Sequence, residues 1–241
     1  MSDTAEGGSE TLETADLEVP ADPLAGHPTT AYFWGHVAGS GEVSSDRLEV
    51  VATDEASAQV LAAVAGGEVD HDTTTREYAH DTSITRTEDE YAVSIERDDD
   101  GVLGRDSTLG FPVDGRGGYR FGAFSSYRRE LLRGLLEGCG TICFKSSSGT
   151  VGISAVHEDR TLLEHVRELI AACPVDAPTG DLGETSSGGY WFGVDDDAAP
   201  AFGSWLYEDC EETGLYAPGR KRKLERSLEQ AAADDDEASD D

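Results

Sequence analysis

Lysine is almost missing from this chain of 241 residues: only Lys145, Lys221 and Lys223 occur among 18 basic residues, and the remainder are arginine. Against them stand 50 aspartates and glutamates, giving a formal charge of −32. An acid excess with arginine in place of lysine is the habit of salt-loving archaea. At 1 M salt the Debye length shrinks to about 3 Å, so such a surface repels itself far less than in dilute buffer. The charge is thus in part an adaptation and does not by itself identify partners. No run of 18 or more apolar residues occurs, which argues against a membrane-spanning helix, and the acidic N-terminus does not have the form of a signal or transit peptide, so a cytoplasmic location and no membrane partner are expected. CxxC pairs are also missing. Cys139, Cys143, Cys173 and Cys210 stand apart without finger-like histidines, so packed thiols are expected, with no metal and no cofactor. There is no GxSxG, P-loop, HExxH or dinucleotide fingerprint.

What is present is a repeat. Gly35, Gly39 and Gly41 superpose on Gly134, Gly138 and Gly140 at one constant offset, each set closing an apolar segment, "AYFWGHVAGSGEV" and "ELLRGLLEGCGTI". A short hairpin follows in each half, turning at Ser45 and Asp46 in the first and near 147–149 in the second. Next comes a helix, "DEASAQVLAAVAGG" or "HEDRTLLEHVRELIAAC", and then two more strand candidates. Those are "EVDHDTTTREYAH" with "EYAVSIERD" in the first half, and "PVDAPTGDLG" with "GYWFGVD" in the second. A helix "APAFGSWLYEDCEETG" and a basic helix opened by Pro218 complete the second half. The expected class is α+β, with two αββαββα repeats related by a pseudo-twofold axis. The expected boundaries are an acidic, unstructured segment at 1–28, a first repeat at 29–97, a linker at 98–124, a second repeat with C-terminal helices at 125–228, and an acidic, unstructured tail at 229–241.

Glycines four residues apart share one helix face, and removing side chains there lets two backbones approach. Each glycine costs a helix about 1 kcal/mol relative to alanine, so four in two matched helices predict that the helices pack on each other. The third glycine of each set is expected in the left-handed conformation that ends a helix. "LLRGLLEGCGTI" and "FWGHVAGSGEV" resemble the signature helices of the LAGLIDADG homing endonucleases, and "WLYEDCEETGLYAPGRKRKLER" resembles the closing segment of that family's domain, a likeness spanning about residues 31–226. The resemblance implies two sheets forming a saddle over duplex DNA. It also implies an acid before the last glycine of each motif, the two acids holding divalent cations for phosphodiester hydrolysis. The chain is also loosely similar to haloarchaeal proteins encoded among cobalamin biosynthesis genes, a likeness no residue explains.

Carried over, the two metal-binding positions are Ser40 and Cys139. Neither provides the hard anionic oxygen that Mg²⁺ takes, and at a helix C-terminus the negative macrodipole opposes a thiolate at Cys139. Glu137 and Glu42 lie near in sequence but off the motif position and read as surface or seam-edge carboxylates, and His36 and His157 as structural or solvated. The chain is therefore expected to be no enzyme but a binding or accessory module with an unidentified partner, such as another protein. DNA binding is expected to be weak or absent: no Lys or Arg lies between Arg167 and Arg220, an interval with 11 acids. Two segments favour nucleic acid instead. Arg116, Arg120, Arg128 and Arg129 alternate with Tyr119, Phe121, Phe124 and Tyr127, a mixture found in single-strand binders or, alternatively, a linker whose aromatics pack inward. Arg220, Lys221, Arg222 and Lys223 form the densest basic run. The open alternatives are a DNA-binding protein and a metal-handling protein or enzyme reusing the central seam.

Overall fold

A computed structural model describes residues 17–44, 47–78, 81–96, 108–112 and 117–239, with side chains at 74–78, 81–88, 96 and 235–239 outside the description. The expected turn at Ser45 and Asp46 and the candidate Arg116 fall outside it. The first repeat runs α1 (Pro28–Ser40), β1 (Gly41–Val43), β2 (Arg47–Ala52), α2 (Glu55–Ala65), β3 (Glu68–Tyr78) and β4 (Asp81–Glu96). A 3₁₀ turn at Gly122–Tyr127 leads into the second repeat: α3 (Arg128–Cys139), β5 (Gly140–Lys145), β6 (Thr150–His157), α4 (Arg160–Ala171), β7 (Gly183–Glu184) and β8 (Tyr190–Gly193). The helices α5 (Ala199–Tyr207), α6 (Cys210–Thr213) and α7 (Pro218–Ser239) follow. The strands form two four-stranded antiparallel sheets of matching order, β1-β2-β4-β3 and β5-β6-β8-β7. This is the expected α+β architecture of two repeats.

Local chemistry sets the elements. Asp54 caps α2 by accepting the Ala56 N–H, and Gly66 ends it at φ 69°, where only glycine is unstrained. Asp159 caps α4 through the Thr161 N–H. The second repeat's outer strands are shorter than expected. Most of "PVDAPTGDLG" is irregular because Pro174 and Pro178 have no N–H to give a ladder, leaving one bridge from Thr179 to Val194 and the two residues of β7. The single helix expected at 199–214 is broken after Tyr207, where Asp209 adopts φ 54°.

The two ends carry more order than expected. Residues 17–27 lie on the core through Leu17 and Leu24, and the Pro23 carbonyl accepts the Trp34 indole N–H at 2.7 Å. α7 continues past 228 to Ser239, an alanine-rich stretch suited to helix. The described parts of the linker pack inward as well. Leu109, Phe111, Tyr119 and Phe121 are buried, Phe111 against Trp34, and two backbone hydrogen bonds tie 109–110 to 118–120. No helix among the described residues is long and apolar enough to cross a membrane.

The helices α1 and α3 meet along the glycine faces. A Cβ on Gly35 would stand 2.3 Å from the Leu131 carbonyl oxygen, and one on Gly134 would stand 2.2 Å from that of Tyr32. Gly39 and Gly138 continue the contact toward the helix ends. The third glycines are not left-handed: Gly41 and Gly140 are extended at φ −86° and −96°. They are excluded from being larger for a steric reason, since a Cβ would lie 2.4 Å from the Val37 oxygen or 2.3 Å from the Leu136 oxygen. Gly134→Ala is expected to force the helices apart and cost at least about 2 kcal/mol in urea unfolding at high KCl. Gly122→Ala, with nothing within 4 Å of the added carbon, is expected to stay within about 0.5 kcal/mol of the unaltered protein.

Candidate nucleic-acid interface and the helix seam

At the end of the seam the chain leaves each helix and enters the edge strand of a sheet, so Ser40 and Cys139 flank the contact. The Ser40 hydroxyl is held by backbone, 2.8 Å from the Val51 carbonyl and 3.3 Å from that of His36. The Cys139 thiol is pushed up to about 12 by burial, partly offset by the Arg220 guanidinium. It is neutral at ordinary pH. A hydroxyl bonded to main chain and a protonated thiol do not fit a hard divalent cation, and the described residues contain no cluster of three or more His, Cys, Asp or Glu placed to hold one.

Glu137 departs from the surface or seam-edge position expected for it. It is 4% exposed, and its carboxylate accepts the Tyr32 hydroxyl at 2.6 Å and the Ala217 N–H at 2.9 Å. Tyr207 also bonds to it. Tyr32 in turn meets Ser57 at 2.9 Å, and Ser57 meets His36 Nε2 at 3.3 Å. Arg133 lies fully buried beside this group, donating to the Leu206 and Leu215 carbonyls at 2.8 and 2.9 Å. Arg220 donates to the Gly140 and Glu137 carbonyls, placing a cation on the C-terminus of α3, where the helix dipole favours it. The signal missed in the sequence was the pairing of positions. Glu137 lies one residue off the motif's glycine face, toward Tyr32 of the other helix.

The basic candidates divide. Arg120 is exposed, while Arg128 donates to the Ala172 carbonyl and Arg129 pairs with Glu208 and covers the Trp205 ring. Their interleaved aromatics Tyr119, Phe121 and Phe124 are buried, so they present no stacking platform. Lys221 pairs with Glu211 and Glu225, whereas Arg222 and Lys223 are exposed on α7.

Strand parity gives each sheet a face packed on the core and an outer face. In the second repeat Ile142, Val151, Ile153, Ala155 and Phe192 point to the core. The alternate positions, Thr141 and Cys143 on β5, Gly152, Ser154 and Val156 on β6 and Trp191 on β8, share the outer face. No carboxylate occupies these strand positions, but Asp196 bonds Lys145 and Thr150 of the same face, and Asp181, Asp195 and Asp197 line the surface beside Trp191. Val156 and Trp191 are 46% and 45% exposed, unusual for large apolar groups. Of the 11 acids between Arg167 and Arg220, ten occupy turns, loops or helices, and the eleventh, Glu184, falls on the parity of Tyr190 and not of Trp191. The acids of this interval thus border the outer face from its turns and loops instead of occupying its strands. In the first repeat the acids Glu42, Glu49, Glu68, Asp70, Asp72 and Glu90 share the outer parity themselves, as do the strand positions of Arg47, Arg76 and Arg86.

Two repeats, a seam free of side chains and two sheets with open outer faces define a single-chain, pseudo-twofold α+β protein. The chain belongs to the LAGLIDADG family described as putative archaeal homing endonuclease, which matches residues 10–234. That membership corrects the expectation that the chain is no enzyme: the family is described by an endonuclease activity, and the seam geometry does not demonstrate inactivity. Among solved structures, full-length DUF199/WhiA from Thermatoga maritima is similar at 11% identity and a TM-score of 0.49, over 92% of this chain and 64% of that one. This chain therefore spans less than two thirds of that protein. I-DmoI in complex with DNA and Mn is similar at 11% identity and TM-score 0.43, over 78% and 98% of the two chains. I-WcaI bound to its DNA recognition sequence is similar at 9% and 0.46, over 83% and 87%. No curated protein sequence matches this chain.

Burial raises the Glu137 carboxyl from 4.5 to about 7, and burial lowers His36 from 6.5 to about 3. Between about 4.5 and 7 the folded state holds the Glu137 proton that the unfolded chain has released, so this group's stabilisation is lost as pH rises through that window. His36 acts in the opposite sense, destabilising as pH falls below 6.5, so the two effects offset each other in the unaltered protein. Glu137→Gln, which keeps an acceptor but does not titrate, is expected to uncover the His36 slope. Its stability relative to the unaltered protein should rise by about 1 kcal/mol per pH unit from pH 5 to 7 in denaturant titrations.

Proposed function

We propose that this protein binds duplex DNA through the outer sheet faces, in the concentrated salt of a haloarchaeal cytoplasm. The observation that carries the proposal is the second-repeat outer face: uncovered by any described helix, with no carboxylate at its strand positions, and bearing hydroxyls and two half-exposed apolar side chains, its nearest acids standing at the rim beside Trp191 and Lys145. Threonine and serine hydroxyls can bond to base edges or phosphates, and apolar side chains can meet thymine methyl groups. Membership of a homing endonuclease family supports the same substrate class. The acid-rich, lysine-poor composition supports the salt environment. An association with cobalamin biosynthesis genes has no residue in its favour and forms no part of the proposal.

Titration of a labelled, mixed-sequence duplex pool with the full chain at molar KCl, followed by fluorescence anisotropy, is expected to show saturable binding at micromolar protein. A flat titration would exclude the function. Denaturing gels of the same reactions with added Mg²⁺ measure strand scission, the activity for which the family is described.

A further inference from the structure

A cavity of about 270 Å³ lies where the two repeats and the linker meet, away from the outer face of either sheet. Its strand residues, Gly41 and Val43 on β1 and His157 at the end of β6, fall on the parity opposite to Glu42 and Val156. The cavity therefore opens on the core side of the strands. Val37 and Val43 of the first repeat and Phe111 and Pro112 of the linker give it apolar walls. Phe111 packs on Trp34, with ring centroids 5.5 Å apart, which ties the linker wall to α1. The junction of β6 and α4 closes the remaining side with His157, Glu158 and Asp159, and Tyr119 stands beside them.

The polar side is built by local hydrogen bonds. Asp159 accepts the Thr161 N–H through one carboxylate oxygen and the Tyr119 hydroxyl, at 3.0 Å, through the other, so its position is fixed from two directions. His157 Nδ1 accepts the Asp159 N–H at 2.9 Å, which leaves the ring proton on Nε2. Burial lowers the His157 pKa against the pull of Asp159 and Glu158, so the ring is neutral and adds no positive charge. Its Nε2–H has no partner among the described residues and remains a donor. Burial raises the Tyr119 hydroxyl, and Asp159 and Glu158 raise it further, the mark of a negative local field. Glu158 is exposed, and its carboxylate makes no hydrogen bond or ion pair among the described residues. No Lys or Arg lines the cavity. Two carboxylates thus stand at one side of an apolar space with no cation to balance them.

We infer that this cavity binds a small organic cation with an apolar body, the body lying between Val37, Val43, Phe111 and Pro112 and the ammonium group meeting the carboxylates of Glu158 and Asp159. An anion would face two like charges without a cation to offset them. A bare metal ion would leave the apolar walls unused, and the described residues contain no cluster of ligands to hold one. The volume is near the lower end for ligand pockets, about 300–1,000 Å³, and suits a single ring with a short amine. The free His157 Nε2–H accommodates an oxygen on such a ligand. The site is separate from the duplex-DNA reading, because it lies on the other side of the strands from the faces to which that reading assigns DNA.

The test uses the full chain at about 1 M KCl, where screening suppresses loose attraction of cations to the acidic surface. Benzylammonium is titrated and followed by proton–nitrogen NMR, in parallel with benzyl alcohol, benzoate and methylammonium. Benzylammonium is expected to saturate in the millimolar range, with shifts centred on Gly41, Tyr119 and His157, and to bind at least about tenfold more tightly than each of the other three. Glu158→Gln, at an exposed position that leaves the Asp159 cap in place, is expected to weaken benzylammonium at least about fivefold. Val43→Phe, which fills the cavity, is expected to abolish saturable binding. Unsaturated or scattered shifts up to about 50 mM benzylammonium would overturn the inference. So would equal affinity for benzyl alcohol, benzoate or methylammonium, an unchanged affinity in the Glu158→Gln protein, or retained binding in a folded Val43→Phe protein. Circular dichroism of each variant reports its fold, and the Glu158→Gln result decides alone if Val43→Phe does not fold. None of these outcomes alters the duplex titration, which decides DNA binding separately.

Discussion

Backbone contact between α1 and α3 is the constraint from which the remaining geometry follows. With no side chain at Gly35 or Gly134, each helix presents bare main chain to the other, and the carbonyls of Leu131 and Tyr32 occupy the space where a methyl group would otherwise sit. At that separation Tyr32 reaches across to Glu137, and the carboxylate in turn reaches the main chain ahead of α7. The helix ends then deliver β1 and β5 to equivalent positions, so the two sheets inherit their relation from the seam. A wider seam would lengthen the Tyr32–Glu137 bond and deprive a buried carboxylate of one of its partners, which is costly in a low-dielectric interior.

The repeat was legible because glycine spacing is a one-dimensional signal with a direct steric meaning. The same holds for Asp54 before α2, Asp159 before α4 and Gly66 after α2, each of which acts through its own neighbours in sequence. Less was legible where the outcome depended on parity or on a residue far away. Counting acids along 167–220 gave the right number but not their places, since turns, loops and helices hold all but one of them and several border the outer face from its rim. Glu137 looked like surface because its partners Tyr32 and Ala217 lie 105 and 80 residues away in sequence. The third glycines were assigned to a left-handed cap by habit of composition, whereas their reason is contact with the preceding helical turn.

Charge is distributed in this protein by half. Arginine pairs with acid or caps carbonyls at most described positions of the second repeat, which holds its carboxylates at turns and loops that border the sheet. The first repeat carries its acids across the strands themselves. A pseudo-twofold backbone thus supports two chemically distinct faces, because strand side chains can change without disturbing the seam that positions them.

The Tyr32–Glu137 bond has a further meaning for the relation between the repeats. By the offset that aligns the glycines, Tyr32 corresponds to Leu131 and Glu137 to Ala38. Two copies of the first repeat would set Tyr32 against Ala38, and two copies of the second would set Glu137 opposite Leu131 with the Tyr32 hydrogen bond lost, a defect on the order of 1–3 kcal/mol. Each half has therefore become the specific complement of the other. The two repeats are therefore not interchangeable, since a repeat paired with itself would lack the Tyr32–Glu137 bond.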